Sequence, residues 1–167
     1  MLYVSIMIYA AAMTVANLSI AAFGPWVSPI NAFFLIGLDL TLRDWLHTKI
    51  NQKQMFALIL VSGGITYLAN PSAQMIAIAS AVAFTAAAVV DWAVFTKLAG
   101  DWLKRANVSN VAGAAVDSVI FPTIAFGALM PHIVLMQFVA KVAGGAIWSW
   151  IIHHVSKAHL HQKPQTP

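Results

Sequence analysis

Residues Gln74 to Leu98 read QMIAIASAVAFTAAAVVDWAVFTKL, and this stretch decides the class of fold. From Gln74 to Val90 it holds no charged residue. A helix needs about 20 predominantly apolar residues to cross the hydrocarbon of a bilayer. The same pattern recurs on either side. Leu2 to Phe23 is apolar and closed by Gly24-Pro25, and Ile30 to about His47 opens after Pro29. Met55 to Ala69 is closed by Asn70-Pro71, Asn110 to Leu129 is closed by Pro131, and His132 to Val155 is the last run. Gly, Pro and Asn stand at nearly every boundary, as helix ends and turns require. The sequence therefore predicts an all-α, polytopic integral membrane protein with six transmembrane helices. One transmembrane domain is expected over residues 1–156, followed by a short, polar, disordered cytoplasmic tail over 157–167. The start lacks a basic segment and its apolar run is too long for a signal peptide, so it reads as the first spanning helix.

Composition supports the same class. Of the 167 residues, 60% are hydrophobic and 8% are charged, against roughly 25% charged in a soluble domain. That excludes a soluble globular domain, a disordered chain and, despite the net charge of +4, a nucleic-acid binder. Cysteine is absent, which removes disulfides, thiolate metal sites and a Cys nucleophile. No zinc-protease helix, nucleophile elbow or phosphate-cradling loop is present. Neither enzyme activity nor a cofactor is expected.

The basic residues set an orientation. Lys49 and Lys53 follow span 2, Lys97, Lys104 and Arg105 follow span 4, and Lys157 and Lys163 lie in the tail. The three other connections carry no Lys or Arg. With six spans, all basic segments fall on one side, which the positive-inside rule makes cytoplasmic. Both termini are then inside (N-in/C-in).

Five ionisable residues remain in or near the spans: Asp39, Arg43, Asp91, Asp117 and Lys141. Each costs roughly 2.5–3.5 kcal/mol on insertion scales, so it needs a partner or a wet cavity. At about 1.5 Å rise per residue, Asp39, Asp117 and Lys141 fall near mid-bilayer, while Arg43 and Asp91 lean towards the cytoplasm. Asp39 and Arg43 are four apart and can pair on one helix, either structurally or as a gate. Asp117 and Lys141 can pair between spans 5 and 6. Three acids against two bases leave one carboxylate over, to be matched by a proton, by Lys97, by water or by a hydrogen-bond donor. Asn17 in span 1 and Asn31 at the start of span 2 are polar candidates for helix packing or ligand contact. Trp92, beside Asp91, is the one Trp considered for stacking on a ring. Gly144-Gly145 suits close helix packing. His153, His154, His159 and His161 cluster without a carboxylate or Cys nearby, and no metal site is expected.

Several stretches together resemble a known family. Ala16-Asn17-Leu18, Asn31-Ala32-Phe33-Phe34-Leu35 and Asp39-Leu40-Thr41-Leu42-Arg43 resemble landmarks of the queuosine-precursor transporter family, also called the vitamin uptake transporter family. Asp91-Trp92-Ala93-Val94-Phe95, Val116-Asp117-Ser118-Val119-Ile120-Phe121 with Ile124-Ala125-Phe126, and Lys141 in Phe138-Val139-Ala140-Lys141-Val142 follow in the family's order. Asp44, directly after Arg43, departs from the pattern. The resemblance implies a transporter of the bacterial inner membrane that imports a deazapurine such as 7-cyano-7-deazaguanine by alternating access. Asp39, Asp117, Lys141, Asn17, Asn31 and Trp92 would then be substrate-binding residues, with Arg43 and Asp91 in a gate or charge network. It also implies a helical plan similar to the substrate-binding subunits of energy-coupling-factor transporters. A homo-oligomer and an energy-coupling partner both stay open, as does a non-transport structural role. In the coupling-partner reading, Ala12 and Ala16 could dock the partner's helix.

Overall fold

The computed structural model describes the backbone of residues 2–161 and the side chains of residues 2–155. Of the tail expected to be disordered, residues 157–161 instead continue the last helix, and 162–167 lie outside the described residues. Six long helical segments follow one another: α1 (Leu2–Phe23), α2 (Pro25–His47), α3 (Gln52–Ala69), α4 (Gln74–Lys97), α5 (Trp102–Ala125) and α6 (Pro131–His161). All but α3 are long and apolar enough to cross a membrane. The polar first turn of α3, Gln52-Lys53-Gln54, leaves it with the shortest apolar stretch. The chain is thus an all-α, multi-spanning membrane protein.

Local chemistry explains the boundaries. Asn51 caps α3 by accepting from the Gln54 amide at 2.9 Å, and the Gln54 side chain accepts from the Asn51 amide at 3.0 Å, a reciprocal cap. Asp101 accepts from the Lys104 amide at 2.9 Å and starts α5 eight residues before the apolar run at Asn110. The polar turns Lys104-Arg105-Ala106-Asn107 are therefore helical. α5 stops at Ala125 rather than Leu129, just before Gly127, whose φ of +70° favours glycine. α6 continues past Val155 to His161.

Large apolar side chains cover the outside, while polar and charged ones share the interior with an apolar core. Tyr3, Met7, Leu60, Leu68, Val89, Leu135 and Val139 lie exposed on the outside. Asn17, Asn31, Asp39, Arg43, Asp91, Asp117, Gln137 and Lys141 are buried among the helices. In a bilayer this puts the apolar surface against lipid and lets polar side chains satisfy one another inside. Ala12 and Ala16 are also buried within the molecule, so they pack its own helices and are not free to dock a partner.

α2 has the least regular path. It begins with a 3₁₀ turn at Pro25–Val27, continues as α-helix over Ser28–Asn31, widens to a π turn at Ala32–Ile36, and resumes as α-helix over Gly37–His47. A π turn leaves backbone groups off the usual ladder and often marks a functional site. Here α6 fits the widened turn. Trp148 Nε1 donates to the Phe34 carbonyl at 3.0 Å. A Cβ on Gly144 would overlap the Phe33 carbonyl oxygen, and one on Gly37 would lie 2.7 Å from the Gly144 carbonyl carbon. Thr41 Oγ1 bonds the carbonyls of Gly37 and Gly145 at 3.0 and 3.1 Å. The Gly144-Gly145 pair is therefore where α2 and α6 meet backbone to backbone, as its composition suggested.

Candidate functional site

The centre of the molecule is a polar network built by α1, α2, α4, α5 and α6. Lys141 on α6 projects towards α5. Its Nζ lies 2.6 Å from Asp117 Oδ2 and donates to Ser118 Oγ at 3.1 Å and Gln137 Oε1 at 2.8 Å. An ammonium has three N–H donors, so each has a partner. Gln137 Nε2 extends the chain to Ser28 Oγ at 2.7 Å. On the opposite wall, Asn31 Nδ2 donates to Ser19 Oγ at 2.6 Å and to the Ala16 carbonyl at 3.1 Å. Asn17 Oδ1 accepts from Ser80 Oγ at 2.5 Å.

These groups surround one small cavity, lined among others by Asn17, Asn31, Ser80, Phe84, Asp117 and Lys141. Its volume is about 20 Å³, close to that of one water. A ring-sized ligand enters only if the helices move apart. Two polar atoms at this centre have no protein partner: Asp117 Oδ1, an acceptor, and Asn17 Nδ2, a donor. Four expected site residues, Asn17, Asn31, Asp117 and Lys141, are thus brought together. Ser80 and Phe84 join them without having been singled out in the sequence. Their spacing of four puts both on one face of α4, but a Ser and a Phe in an apolar helix carry no signal alone.

Asp39 does not line this cavity. It pairs with Arg43 along α2, Nη2 to Oδ2 at 3.0 Å, and both are fully buried. The guanidinium carbon sits 5.3 Å from the centroid of the Phe84 ring, within cation–π range. Phe84 therefore separates the central cavity from the charge layer beneath it. That layer is incompletely satisfied: Asp39 Oδ1, Arg43 Nε, Arg43 Nη1 and Tyr9 Oη have no hydrogen-bond partner.

Asp91 on α4 is fully buried, and neither of its oxygens has a hydrogen-bond partner. Its neighbours are Asp44 and His47 from α2, with ligand atoms of all three within 4.8 Å of one another. Asp44 is itself fully buried and accepts from Ser109 Oγ at 3.3 and 3.4 Å. This corrects the sequence tally. Among the described residues four acids, not three, lie inside against two bases, and Lys97 is exposed. Asp44 was passed over because it stands at the end of an apolar run. Only the packing of α2 on α4 and α5 turns it inward.

Trp92 lies apart from the central cavity. It is 41% exposed and lines an apolar cleft of about 270 Å³ with His47, Met55, Phe56 and Thr85. His153 stacks on Trp102, with ring planes 3° apart. His154 contacts the Trp150 ring and carbonyl. The side chains of His159 and His161 lie outside the described residues.

A family model described as "Putative vitamin uptake transporter" matches residues 2–155. No curated protein and no solved structure matches the chain. The match covers nearly the whole chain, reaches into all six helices and includes every candidate site residue described above. The family is one of transporters and not of enzymes. The chain belongs to the vitamin uptake transporter family, and is a multi-spanning membrane protein of the transporting kind.

Proposed function

We propose that this protein imports a deazapurine precursor of queuosine, such as 7-cyano-7-deazaguanine, by alternating access around the Asn17–Asp117 cavity. The observation that carries the reading is the pair of unmatched atoms at one cavity: the Asp117 Oδ1 acceptor and the Asn17 Nδ2 donor. A guanine-like edge presents ring N–H and amino donors beside a carbonyl acceptor. Asp117 would accept from the donors in charge-assisted bonds, and Asn17 would donate to the carbonyl. Lys141, with all its donors engaged, would hold Asp117 in position, and Asn31 would hold α1 against α2. Phe84 is better placed than Trp92 to stack on the ring. Asp39 and Arg43, whose spare donor and acceptor atoms permit a change of partners, would act as the gate beneath the ring, with Asp91 next in line.

The same reading takes all six helices as spans, with both termini on the cytoplasmic side of a bacterial inner membrane. It takes the chain as a carrier acting without an ATPase. The test is uptake in cells unable to make queuosine precursors. Wild type restores queuosine in tRNA and Asp117→Ala does not. Equal restoration by the variant would refute the site, and no restoration by wild type would refute the substrate class. Co-purification with an ATPase module, with uptake lost in its absence, would instead make the chain a substrate-capture subunit.

A further inference from the structure

Among the described residues, four buried carboxylates face two buried bases. Arg43 is matched by Asp39 and Lys141 by Asp117. The two remaining acids, Asp44 and Asp91, do not lie apart. They converge with His47 within 4.8 Å. Like charges held that close in a dry interior repel strongly, and an unpaired buried charge is the costly case. Asp91 is fully buried with both oxygens partnerless, and His47 leaves Nδ1 without a partner. We propose that Asp44, His47 and Asp91 form a binding site for one divalent transition-metal cation at the α2–α4 contact.

A dication answers both the charge and the geometry. It brings the buried tally of charges to zero, and it supplies a ligand for the two free Asp91 oxygens and for the imidazole. Protons on the acids would also neutralise them and could be shared with the imidazole; a metal titration separates a bound cation from bound protons. Two carboxylates with one imidazole suit Mn²⁺ or Zn²⁺ better than Mg²⁺ or Cu⁺. The surroundings support the ligands. Ser109 Oγ donates to Asp44, as outer groups orient metal-binding carboxylates. Gly113 on α5 gives Asp91 room: a Cβ there would lie 3.3 Å from the Asp91 Cβ. Half-buried His47 also lines two clefts, of about 270 and 630 Å³, the larger with Asn51, Gln52 and Lys53 at the α2–α3 turn. Of the three ligands, His47 alone borders these clefts. Sequence reading missed the site because Asp44 and Asp91 are far apart in the chain and no ligand spacing announces them.

The test uses the full chain in lipid nanodiscs, washed with chelator and titrated with Mn²⁺ and, separately, Zn²⁺. The expected result is one saturable ion per chain, with pulsed electron paramagnetic resonance of the Mn²⁺ form showing nitrogen coupling from one imidazole. Asp91→Asn and Asp44→Asn each weaken binding by about tenfold or more. His47→Gln removes the nitrogen coupling, and the double change His153→Ala/His154→Ala alters nothing. The proposal is overturned by any of three results: no saturable binding below a concentration on the order of 1 mM, equal affinity in Asp91→Asn, or loss of binding on changing His153 and His154. Absence of imidazole nitrogen coupling in the wild type, or its persistence in His47→Gln, likewise overturns the proposal.

Discussion

The two buried ion pairs have the same charges and different architecture. Lys141–Asp117 joins α6 to α5, and Lys141 also holds Ser118 and Gln137. Arg43–Asp39 lies within α2, with Arg43 Nε, Arg43 Nη1 and Asp39 Oδ1 unmatched. The first pair is a fixed clamp between helices with one acceptor left facing a cavity. The second travels with its own helix and keeps capacity to exchange partners. The difference separates a group that shapes a site from a group suited to movement.

The largest effect is expected from Lys141→Met. It leaves the Asp117 carboxylate unpaired in the interior, which costs about 3–5 kcal/mol, and removes a donor from Ser118 and Gln137 as well. Arg43→Met orphans fewer groups and should lower thermal stability less. Unfolding curves in detergent compare them directly, and a larger loss for Arg43→Met would reverse the comparison. Lys141→Met/Asp117→Asn should regain much of the stability and still fail to take up substrate.

Next in size is Gly144→Ala. Its Cβ would overlap the Phe33 carbonyl oxygen, so α2 and α6 must separate. Overpacking of this kind costs about 1–3 kcal/mol, read as a lower melting temperature. Arg43→Lys keeps the charge and loses the planar fork. Stability should change by about 1 kcal/mol while uptake falls several-fold, because the remaining donors are fewer and no longer fixed in one plane. Unaltered uptake would make the Asp39–Arg43 pair purely structural. The smallest effect is expected from Trp92→Phe. At its exposed cleft it should alter stability by no more than about 0.5 kcal/mol and leave uptake unchanged.

The fold was legible wherever apolar runs and helix ends coincide. Leu2–Phe23 is bounded as the run predicts, and α4 ends one residue from its expected limit. The two part company where capping extends a helix beyond the apolar run. Asp101 starts α5 among Lys104, Arg105 and Asn107, and Pro25 starts α2 before Ile30. Hydropathy reports contact with lipid, whereas caps report the helix. The central polar cluster was legible from residues expected either to join helices or to meet a ligand: Asn17, Asn31, Asp117 and Lys141. Phe84 and Ser80 gave no such signal. Asp44 gave no such signal because it stands at the end of the apolar run, and packing against α4 and α5 is what buries it.

The most direct measurement of the central claim is ligand binding to the purified chain with a matched pair of deazapurines. One is 7-cyano-7-deazaguanine and the other lacks only its 2-amino group. If Asp117 accepts from that group, wild type binds the first on the order of 100-fold more tightly, as a buried acceptor left unmatched would require. Asp117→Asn should bind the two about equally. Equal affinity of wild type for both compounds would contradict the account.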